Sequence, residues 1–309
     1  MDDPAKGLLL DSTEKEPEVQ KESAKISGRN ICYFRAGSGR PLVWVHGLLG
    51  GAFCWRFNLP VFARRFTNYA VDLPGCGESE APRDGEFGMV AQAEHLRGFL
   101  GELGLGQVDL VGSSWGGGIA QFFAAANPQL VRSLVLVSPV NPWSELGLGR
   151  VRFFGGRLGA TLLRAGMPFS RPLHFWGLKR MYGDPQRIPE GTLEGYSLLF
   201  SRRGLAGNVV RILRAWERDL DALRTVPKNI QAPTLLIWGS RDTAVDPCSA
   251  EVLRQKLPHC ELAIIEGAGH VPFEETPEEF NRIMLEFLGN IGSSGDRTIG
   301  PPGHHHRPI

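Results

Sequence analysis

Apolar residues form six short continuous runs along this chain, and each run predicts a strand. The runs lack the alternation of apolar and polar residues that a half-exposed strand shows, so they indicate strands buried on both faces of a parallel sheet. Residues 18–35 do alternate and contain Gly28-Arg29-Asn30, which predicts a turn between two strands. The six runs are residues 41–46, 69–71, 108–111, 133–137, 232–239 and 261–265.

Segments with a helical pattern separate several of these runs. Residues 89–103 form an amphipathic pattern, and residues 119–126 form an Ala-rich run closed by Asn127-Pro128. A final helix is predicted from Thr276 to about residue 288. Strands that alternate with helices in this way predict an α/β fold with a doubly wound, mostly parallel sheet.

The pattern of apolar residues changes in the middle of the chain. Residues 141–227 contain no strand-like run and are rich in Arg, Phe and Leu at helical spacing. We therefore predict a helical cap over residues 141–227, inserted between two parts of the sheet domain, residues 17–140 and 228–289. The polar residues 1–16 and the Gly- and Pro-rich residues 290–309 predict disordered tails.

The segment Gly112-Ser113-Ser114-Trp115-Gly116 has a predicted strand before it and a predicted helix after it. It matches G-x-S-x-G, in which the serine occupies a strained turn that exposes its hydroxyl. The residues two positions from that serine must be small, because larger side chains would collide with the helix or the neighbouring strand. Gly112 and Gly116 meet this requirement around Ser114, whereas bulky residues would flank Ser113. Ser114 is therefore the predicted nucleophile.

The glycine-rich segment at residues 46–51 closes the first of the six runs. Gly-rich backbone after a central strand can turn its N–H groups toward a developing negative charge. We predict an oxyanion hole formed by the backbone N–H groups of Leu48 and Trp115. His46 and Gly47 are predicted to hold the loop rather than to take part in catalysis.

Two further residues follow the serine in the order that a Ser-Asp-His triad requires. Asp242 lies just past the run at 232–239, and His270 lies in the loop after the last run. Asp246 competes for the role of the acid, but it directly precedes a proline and lies farther from its strand end. Asp72 precedes Ser114 in the chain and is predicted to anchor its own Pro/Gly turn through side chain-to-backbone hydrogen bonds.

Together these motifs resemble the capped serine hydrolases of the α/β-hydrolase fold family, over roughly residues 17–289. That group includes small esterases, lipase-like hydrolases, carbon–carbon bond hydrolases and cofactor-free haloperoxidases. The resemblance extends to the turn at residues 72–77, the loop at residues 239–242 and Gly269-His270. Epoxide hydrolases and haloalkane dehalogenases of similar layout use an aspartate nucleophile, whereas this chain has Ser114.

The resemblance implies cleavage of a small or medium carboxylic ester through an acyl-enzyme intermediate. His270 would act as the base for Ser114, and Asp242 would fix the imidazole tautomer, with no cofactor and no metal. The same residues could instead cleave a carbon–carbon bond beside a ketone. A third interpretation is a ligand receptor with vestigial turnover.

Composition narrows the setting in which such an enzyme would work. Hydrophobic residues make up 42% of the chain, charged residues 22%, and the net charge is +1, so nothing in the whole-chain charge favours a nucleic-acid partner. Five cysteines without C-x-x-C spacing fit a reducing cytoplasm. The acidic start does not resemble a signal peptide, and no run is long enough to span a membrane. His304 to His306 could bind a metal adventitiously, but no metal site is predicted.

The near-neutral total conceals a basic cap. Residues 141–227 contain 13 Arg and Lys179 against seven acidic residues, so their net charge is +7 and that of the remaining chain is −6. On one interpretation an apolar stripe packs on the core and the arginines are solvated. On the other, the stripe lines an acyl pocket while the arginines favour an anionic substrate or a lipid surface. The arginines at seven-residue spacing are Arg150, Arg157 and Arg164, and the stripe is Val151, Phe154, Leu158 and Leu162.

Overall fold

The computed structural model describes residues 17–82, 85–167 and 170–293, and these contain an eight-stranded sheet. The strands are β1 (Gln20–Ile26), β2 (Arg29–Ala36), β3 (Arg40–Val45), β4 (Phe66–Val71), β5 (Val108–Ser113), β6 (Val131–Val137), β7 (Thr234–Gly239) and β8 (Cys260–Ile265). Their spatial order is β1-β2-β4-β3-β5-β6-β7-β8. The β1–β2 and β2–β4 pairs are antiparallel, and all other neighbouring pairs are parallel. The predicted doubly wound, mostly parallel sheet is confirmed, and each of the six apolar runs belongs to a strand.

Helices connect the strands and cover the sheet. Within the described ranges the α-helices are α1 (Leu59–Phe62), α2 (Met89–Glu102), α3 (Trp115–Ala126), α4 (Leu148–Gly155), α5 (Arg157–Gly166), α6 (Arg171–Lys179), α7 (Thr192–Phe200), α8 (Leu205–Leu223), α9 (Cys248–Lys256), α10 (Pro272–Glu275) and α11 (Pro277–Ser293). Short 3-10 helices lie at Ala52–Trp55, Pro128–Leu130, Pro185–Arg187 and Pro227–Asn229.

The two faces of the sheet border two separate hydrophobic cores. Along β3, Val43 and Val45 belong to the core that also contains residues of α2, α3 and α9. Leu42 and Trp44 belong to the opposite core, which contains residues of α1 and α11. Because helices cover both faces, all four side chains are fully buried. This double burial explains why the strand sequence is continuously apolar.

Helices alone fill the described part of the insertion between β6 and β7, which we call the cap segment (residues 141–227). Its last helix, α8, reaches the first core through Leu220 and Leu223. Its underside forms a smaller apolar cluster that includes Met167, Leu205 and Val209. The cap segment is therefore joined to the sheet domain by apolar packing as well as by the chain.

The apolar stripe predicted along residues 151–162 is interrupted in the structure. Gly156 has an extended backbone with ψ 169° and separates α4 from α5. As a result Leu158 and Leu162 are 67% and 52% exposed, so neither packs on the core nor lines an enclosed pocket. Both interpretations of the stripe are wrong for these two leucines, because the break turns the second half of the stripe outward.

The ends of the chain differ from the prediction in one respect. Helix α11 continues to Ser293, beyond the predicted end at residue 288, so residues 290–293 are helical rather than part of a tail over 290–309. Residues 1–16 and 294–309, including the three adjacent histidines, lie outside the described residues. Among the described residues, none of the helices is long and apolar enough to cross a bilayer.

Candidate active site

Ser114 occupies a strained turn between β5 and α3. Its backbone has φ 53° and ψ −118°, a left-handed value that non-glycine residues seldom adopt. Three backbone hydrogen bonds hold it there: the Ser114 N–H donates to Val137 O at 2.9 Å, and Ser114 O accepts from Gly118 N at 3.1 Å and from Val140 N at 2.9 Å. The surrounding backbone therefore over-determines this conformation, as strained functional turns require.

Close backbone contacts explain the two glycines on either side of the serine. A Cβ atom added to Gly112 would lie 2.5 Å from Gly116 O, and one added to Gly116 would lie 2.5 Å from Val45 O. These neighbours are backbone atoms of a strand and a helix, so they cannot move aside as a flexible side chain would. These are the collisions that the sequence argument for Ser114 over Ser113 expected at the flanking positions. The Ser113 side chain is buried.

Asp242 and His270 meet beyond the ends of the neighbouring strands β7 and β8. His270 Nδ1 donates to Asp242 Oδ2 at 2.8 Å. The other carboxylate oxygen, Oδ1, accepts from Ala244 N at 2.7 Å and from Val245 N at 3.0 Å. Both side chains are buried, with at most 7% of either exposed. The backbone bonds fix the carboxylate, and the carboxylate fixes the ring with Nε2 as the nitrogen left for other contacts.

The electrostatics of this pair favour an ionised carboxylate. Burial by itself raises the pKa of Asp242, but His270 and the two backbone N–H groups outweigh it, so the pKa of Asp242 lies below its ordinary value. An ionised Asp242 can stabilise an imidazolium while holding the ring in one tautomer.

The two other candidate acids serve backbone turns. Asp246 Oδ1 accepts from Cys248 N at 2.9 Å. Asp72 accepts from Ala52 N at 2.6 Å and from Glu78 N at 2.7 Å. Neither carboxylate bonds to the His270 ring within the described part of the chain. Both therefore have the geometry of turn-anchoring residues.

His46 links the glycine-rich loop to the Asp72 turn. Leu73 N donates to His46 Nε2 at 3.1 Å, so the proton resides on Nδ1, which donates to Gly47 O at 2.8 Å. Burial lowers the pKa of His46, although Asp72 opposes the shift, so the ring stays neutral in this role. A Cβ atom on Gly47 would lie 3.1 Å from Ser114 Cβ, which shows how closely the loop passes the serine.

The two predicted oxyanion donors are available. Neither the Leu48 N–H nor the Trp115 N–H has a hydrogen-bond partner among the residues that the structure describes. Trp115 is the first residue of α3, where a helix leaves its N–H groups unpaired. The Ser114 hydroxyl likewise makes no hydrogen bond to a described residue, and serine–histidine contacts are often loose without substrate.

The sequence model of the alpha/beta hydrolase family matches residues 42–283 of this chain, a range that contains Ser114, Asp242 and His270. The chain belongs to the alpha/beta hydrolase family. Membership supports hydrolase activity and a small-molecule substrate, and it leaves the bond that is cleaved open.

Individual relatives have diverse activities. A dihydrolipoyllysine-residue acetyltransferase component of the acetoin cleaving system from Pseudomonas putida is 31% identical, over 88% of this chain and 70% of its own. A 2-hydroxy-6-oxononadienedioate/2-hydroxy-6-oxononatrienedioate hydrolase from Cupriavidus pinatubonensis is 29% identical, over 84% of this chain and 90% of its own. The crystal structure of a membrane phospholipase A superposes with a TM-score of 0.76 at 26% identity, covering 89% of this chain and 87% of that one.

The sequence did not predict one feature of this hydrolase: the buried carboxylate of Glu275, next to the loop that carries His270. Glu275 Oε2 accepts from Gly269 N at 2.7 Å and from Gly183 N at 2.9 Å, and Oε1 accepts from Asp184 N at 2.9 Å. His270 N itself donates to Met181 O at 2.7 Å. The histidine loop and the cap segment are thus hydrogen-bonded to the same side chain.

A second buried carboxylate, Glu274, joins the same two parts of the hydrolase. It pairs with Arg56 at 2.7 Å and accepts hydrogen bonds from Tyr182 at 3.3 Å and from Tyr196. Burial raises the pKa of Glu274, and Arg56 and the two tyrosines oppose the shift. No local pattern predicted this cluster, because its members lie far apart in the chain.

Apolar residues of the cap segment border the glycine-rich loop. The cluster of Met167, Leu205 and Val209 packs against Leu48 and Leu49. A separate open cleft of 310 Å³ lies between the turn at residues 75–81 and the cap residues 202–208, and none of the three candidate catalytic residues lines it. The surroundings of the predicted oxyanion loop are therefore apolar, and the polar cleft lies to one side.

Proposed function

We propose that this hydrolase cleaves a small or medium carboxylic ester through an acyl-enzyme formed on Ser114. The observation that carries the proposal is the strained turn at Ser114, together with the buried Asp242–His270 pair at the same edge of the sheet. Strain of this kind persists only where the surrounding structure enforces it, and in the proposed reaction it serves to present the Ser114 hydroxyl to the base.

The proposed reaction uses one base twice. Neutral His270 takes the Ser114 proton through Nε2 as Oγ attacks the carbonyl carbon, and Asp242 stabilises the resulting imidazolium. The N–H groups of Leu48 and Trp115 bind the tetrahedral oxyanion, and each such donor contributes ~3 kcal/mol of transition-state stabilisation. His270 returns the proton to the departing alcohol. It then activates water, which hydrolyses the acyl-serine and regenerates Ser114.

The apolar cap cluster supports an acyl ester as the substrate. Leu48 supplies an oxyanion donor in this proposal, and its side chain packs with Met167 and Val209. An acyl chain bound against these side chains would bury apolar surface, which favours binding at ~25 cal/mol per Å². The residues named here carry no charge that would require a charged substrate.

Carbon–carbon bond cleavage is the second candidate. The Cupriavidus pinatubonensis relative is named as a 2-hydroxy-6-oxononadienedioate hydrolase and is 29% identical to this chain. A vinylogous ketone could be attacked by the same serine and held by the same donors. The substrate named for that relative carries two carboxylates, so the charge of the preferred substrate distinguishes carbon–carbon bond cleavage from cleavage of a neutral ester.

The test compares Ser114→Ala with Ser113→Ala on purified protein. We expect p-nitrophenyl acetate, butyrate and octanoate to be hydrolysed by the wild type and by Ser113→Ala, and not by Ser114→Ala. A fluorophosphonate should label Ser114. Labelling of Ser113 would refute the assignment of Ser114 as the nucleophile. Turnover of a 2-hydroxy-6-oxodienoate but of no ester would establish the second candidate, and probe labelling without turnover of either substrate would favour a vestigial receptor.

A further inference from the structure

One stretch of the cap segment carries charged side chains of a single sign. Residues 150–180 contain six Arg and Lys179, and they contain no Asp or Glu. Two of these arginines pair with acids of other helices, Arg152 with Glu217 and Arg171 with Glu194. Arg157 and Arg164 of α5 form no ion pair within the described ranges. A net positive surface therefore remains around α5 and α6.

Large apolar side chains are exposed on the same two helices. On α5, Leu158 and Leu162 are 67% and 52% exposed, and their spacing of four residues puts them on one face. On α6, Leu173 and Trp176 are 46% and 56% exposed at a spacing of three. Four such residues on adjacent helices form more than the scattered apolar surface that monomeric proteins normally show.

The exposed face of α5 leads to the start of α6, because Gly166 follows Leu162 by four residues and lies on the same face of α5. A Cβ atom on Gly166, the last residue of α5, would lie 4.0 Å from Leu173 Cδ2 of α6. The buried residues of α5, Gly159 and Ala160, and the half-buried Leu163 lie on its other side, and Leu163 joins the cluster at Leu48. Helix α5 thus separates the exposed leucines from the apolar cluster beneath the cap.

Basic side chains at the end of α6 lie along aromatic rings. The Lys179 ammonium is 4.3 Å from the centroid of Phe175, and the Arg180 guanidinium is 5.1 Å from the centroid of Trp176. Each basic group therefore lies over an aromatic ring that is itself 40% (Phe175) or 56% (Trp176) exposed. Amphipathic helices that lie in a bilayer interface combine Trp and Leu with flanking Lys and Arg in the same way.

We propose that α5 and α6 form a docking face for an anionic lipid bilayer. Charge complementarity selects this occupant, because the face is basic and carries no acid between residues 150 and 180. Two copies of the face would repel each other, and a neutral apolar partner would leave the arginines without a counter-charge. Leu158, Leu162 and Trp176 would enter the headgroup boundary while Arg157 and Arg164 bind lipid phosphates.

The first test is co-sedimentation of the full chain with phosphatidylcholine vesicles, with and without phosphatidylglycerol. We expect binding to the anionic vesicles at low salt, weaker binding at high salt because the charges are screened, and little binding to pure phosphatidylcholine. Equal binding to both vesicle types, or binding to neither, would overturn the proposal.

Charge variants locate the binding surface. Arg157→Gln/Arg164→Gln should lower the partition coefficient about 25-fold, since each basic side chain near an anionic surface strengthens binding about fivefold. The control, Arg97→Gln/Arg282→Gln, removes the same charge from α2 and α11 and should change binding by less than about threefold. An equal loss in both double variants would show attraction by overall charge and would refute a specific face.

Apolar variants test insertion. Leu158→Gln/Leu162→Gln should weaken binding by about tenfold or more, because two exposed leucines no longer enter the interface. The control is Val90→Gln/Ile264→Gln, at positions 49% and 43% exposed on the sheet domain, and it should bind like the wild type. Unchanged binding of the leucine variant would refute insertion, as would a wild-type dimer in solution that this variant abolishes. Vesicle binding does not require turnover, so failure of the ester proposal would leave this result unaffected.

Discussion

Asp242→Asn tests the proposed catalytic acid through the hydrogen bonds that the structure gives it. The carboxylate accepts three bonds, from Ala244 N at 2.7 Å, Val245 N at 3.0 Å and His270 Nδ1 at 2.8 Å. An asparagine has one acceptor oxygen, so it cannot keep all three in the same arrangement. The outcome depends on which side of the amide faces the backbone pair.

The cost of lost hydrogen bonds decides which orientation the asparagine amide adopts. With its NH₂ group toward Ala244 and Val245, the amide would leave two buried N–H donors unsatisfied, at ~1–3 kcal/mol each. With its oxygen there, only the His270 contact changes, and the ring can respond by moving its proton from Nδ1 to Nε2. The second arrangement costs less, and it removes the Nε2 lone pair that accepts the Ser114 proton in the proposed reaction. The folded state should therefore survive with the wrong tautomer.

We expect kcat for ester hydrolysis to fall by ~10⁴, the loss reported by the equivalent change in a serine protease triad, which corresponds to ~5.4 kcal/mol. KM should change little, because Asp242 does not contact the acyl group in the proposed reaction. The matched control is Asp246→Asn, whose carboxylate accepts from Cys248 N at 2.9 Å. Both variants would be assayed with p-nitrophenyl butyrate, with near-ultraviolet circular dichroism as a folding control. A loss at Asp246→Asn equal to or larger than that at Asp242→Asn would refute the assignment.

Two further predictions concern stability. Gly116→Ala should lower the free energy of unfolding, measured by urea titration, by ~2 kcal/mol or more, because the new Cβ would lie 2.5 Å from Val45 O. The control Gly101→Ala in α2, where a new Cβ has nothing within 4 Å, should raise that free energy by ~0.5–1 kcal/mol. Equal effects of the two substitutions would contradict the steric argument. Because the pKa of Asp242 is lowered by folding, its charge stabilises the native state above the unfolded pKa of ~3.9 and ceases to do so as the pH falls through the lower native value. The stability difference between wild type and Asp242→Asn should therefore shrink below about pH 4, and an increase would contradict the sign of the shift.

Sequence reasoning succeeded where a structural constraint restricts the residue types of one short segment. The strand β3 was predictable because both its faces are buried, which leaves a run of apolar letters from Leu42 to Val45. The turn at Ser114 was predictable because Gly112 and Gly116 record backbone contacts that no larger residue allows. In each case the constraint limits which residue types one short segment can contain, so it leaves a trace in the composition of that segment even though some of the contacting residues lie far away in the chain.

Two kinds of feature were not predicted: the orientation of side chains after a break in a helix, and clusters whose members lie far apart in the chain. Leu158 and Leu162 fit an apolar stripe with Val151, but a single extended glycine, Gly156, rotates them away from it. The acids at 274 and 275 resembled ordinary charges near a helix start. Arg56, the ion-pair partner of Glu274, lies 218 residues earlier in the chain, so only the folded topology brings them together.

The same distant contacts limit how the cap segment can move. Glu275 bonds at once to Gly269 N beside the histidine and to Gly183 N of the cap segment, and His270 N bonds to Met181 O. If the cap segment opened as one body, it would break the bond from Gly183 N to the Glu275 carboxylate, at ~1.5–3 kcal/mol, and the bond from His270 N to the Met181 carbonyl, at ~0.5–1.5 kcal/mol. Loss of the second bond would displace the proposed base. Opening confined to α4, α5 and α6 would leave them intact. The bonds made by Glu275 and His270 therefore do not restrain the part of the cap segment that carries the exposed leucines and arginines.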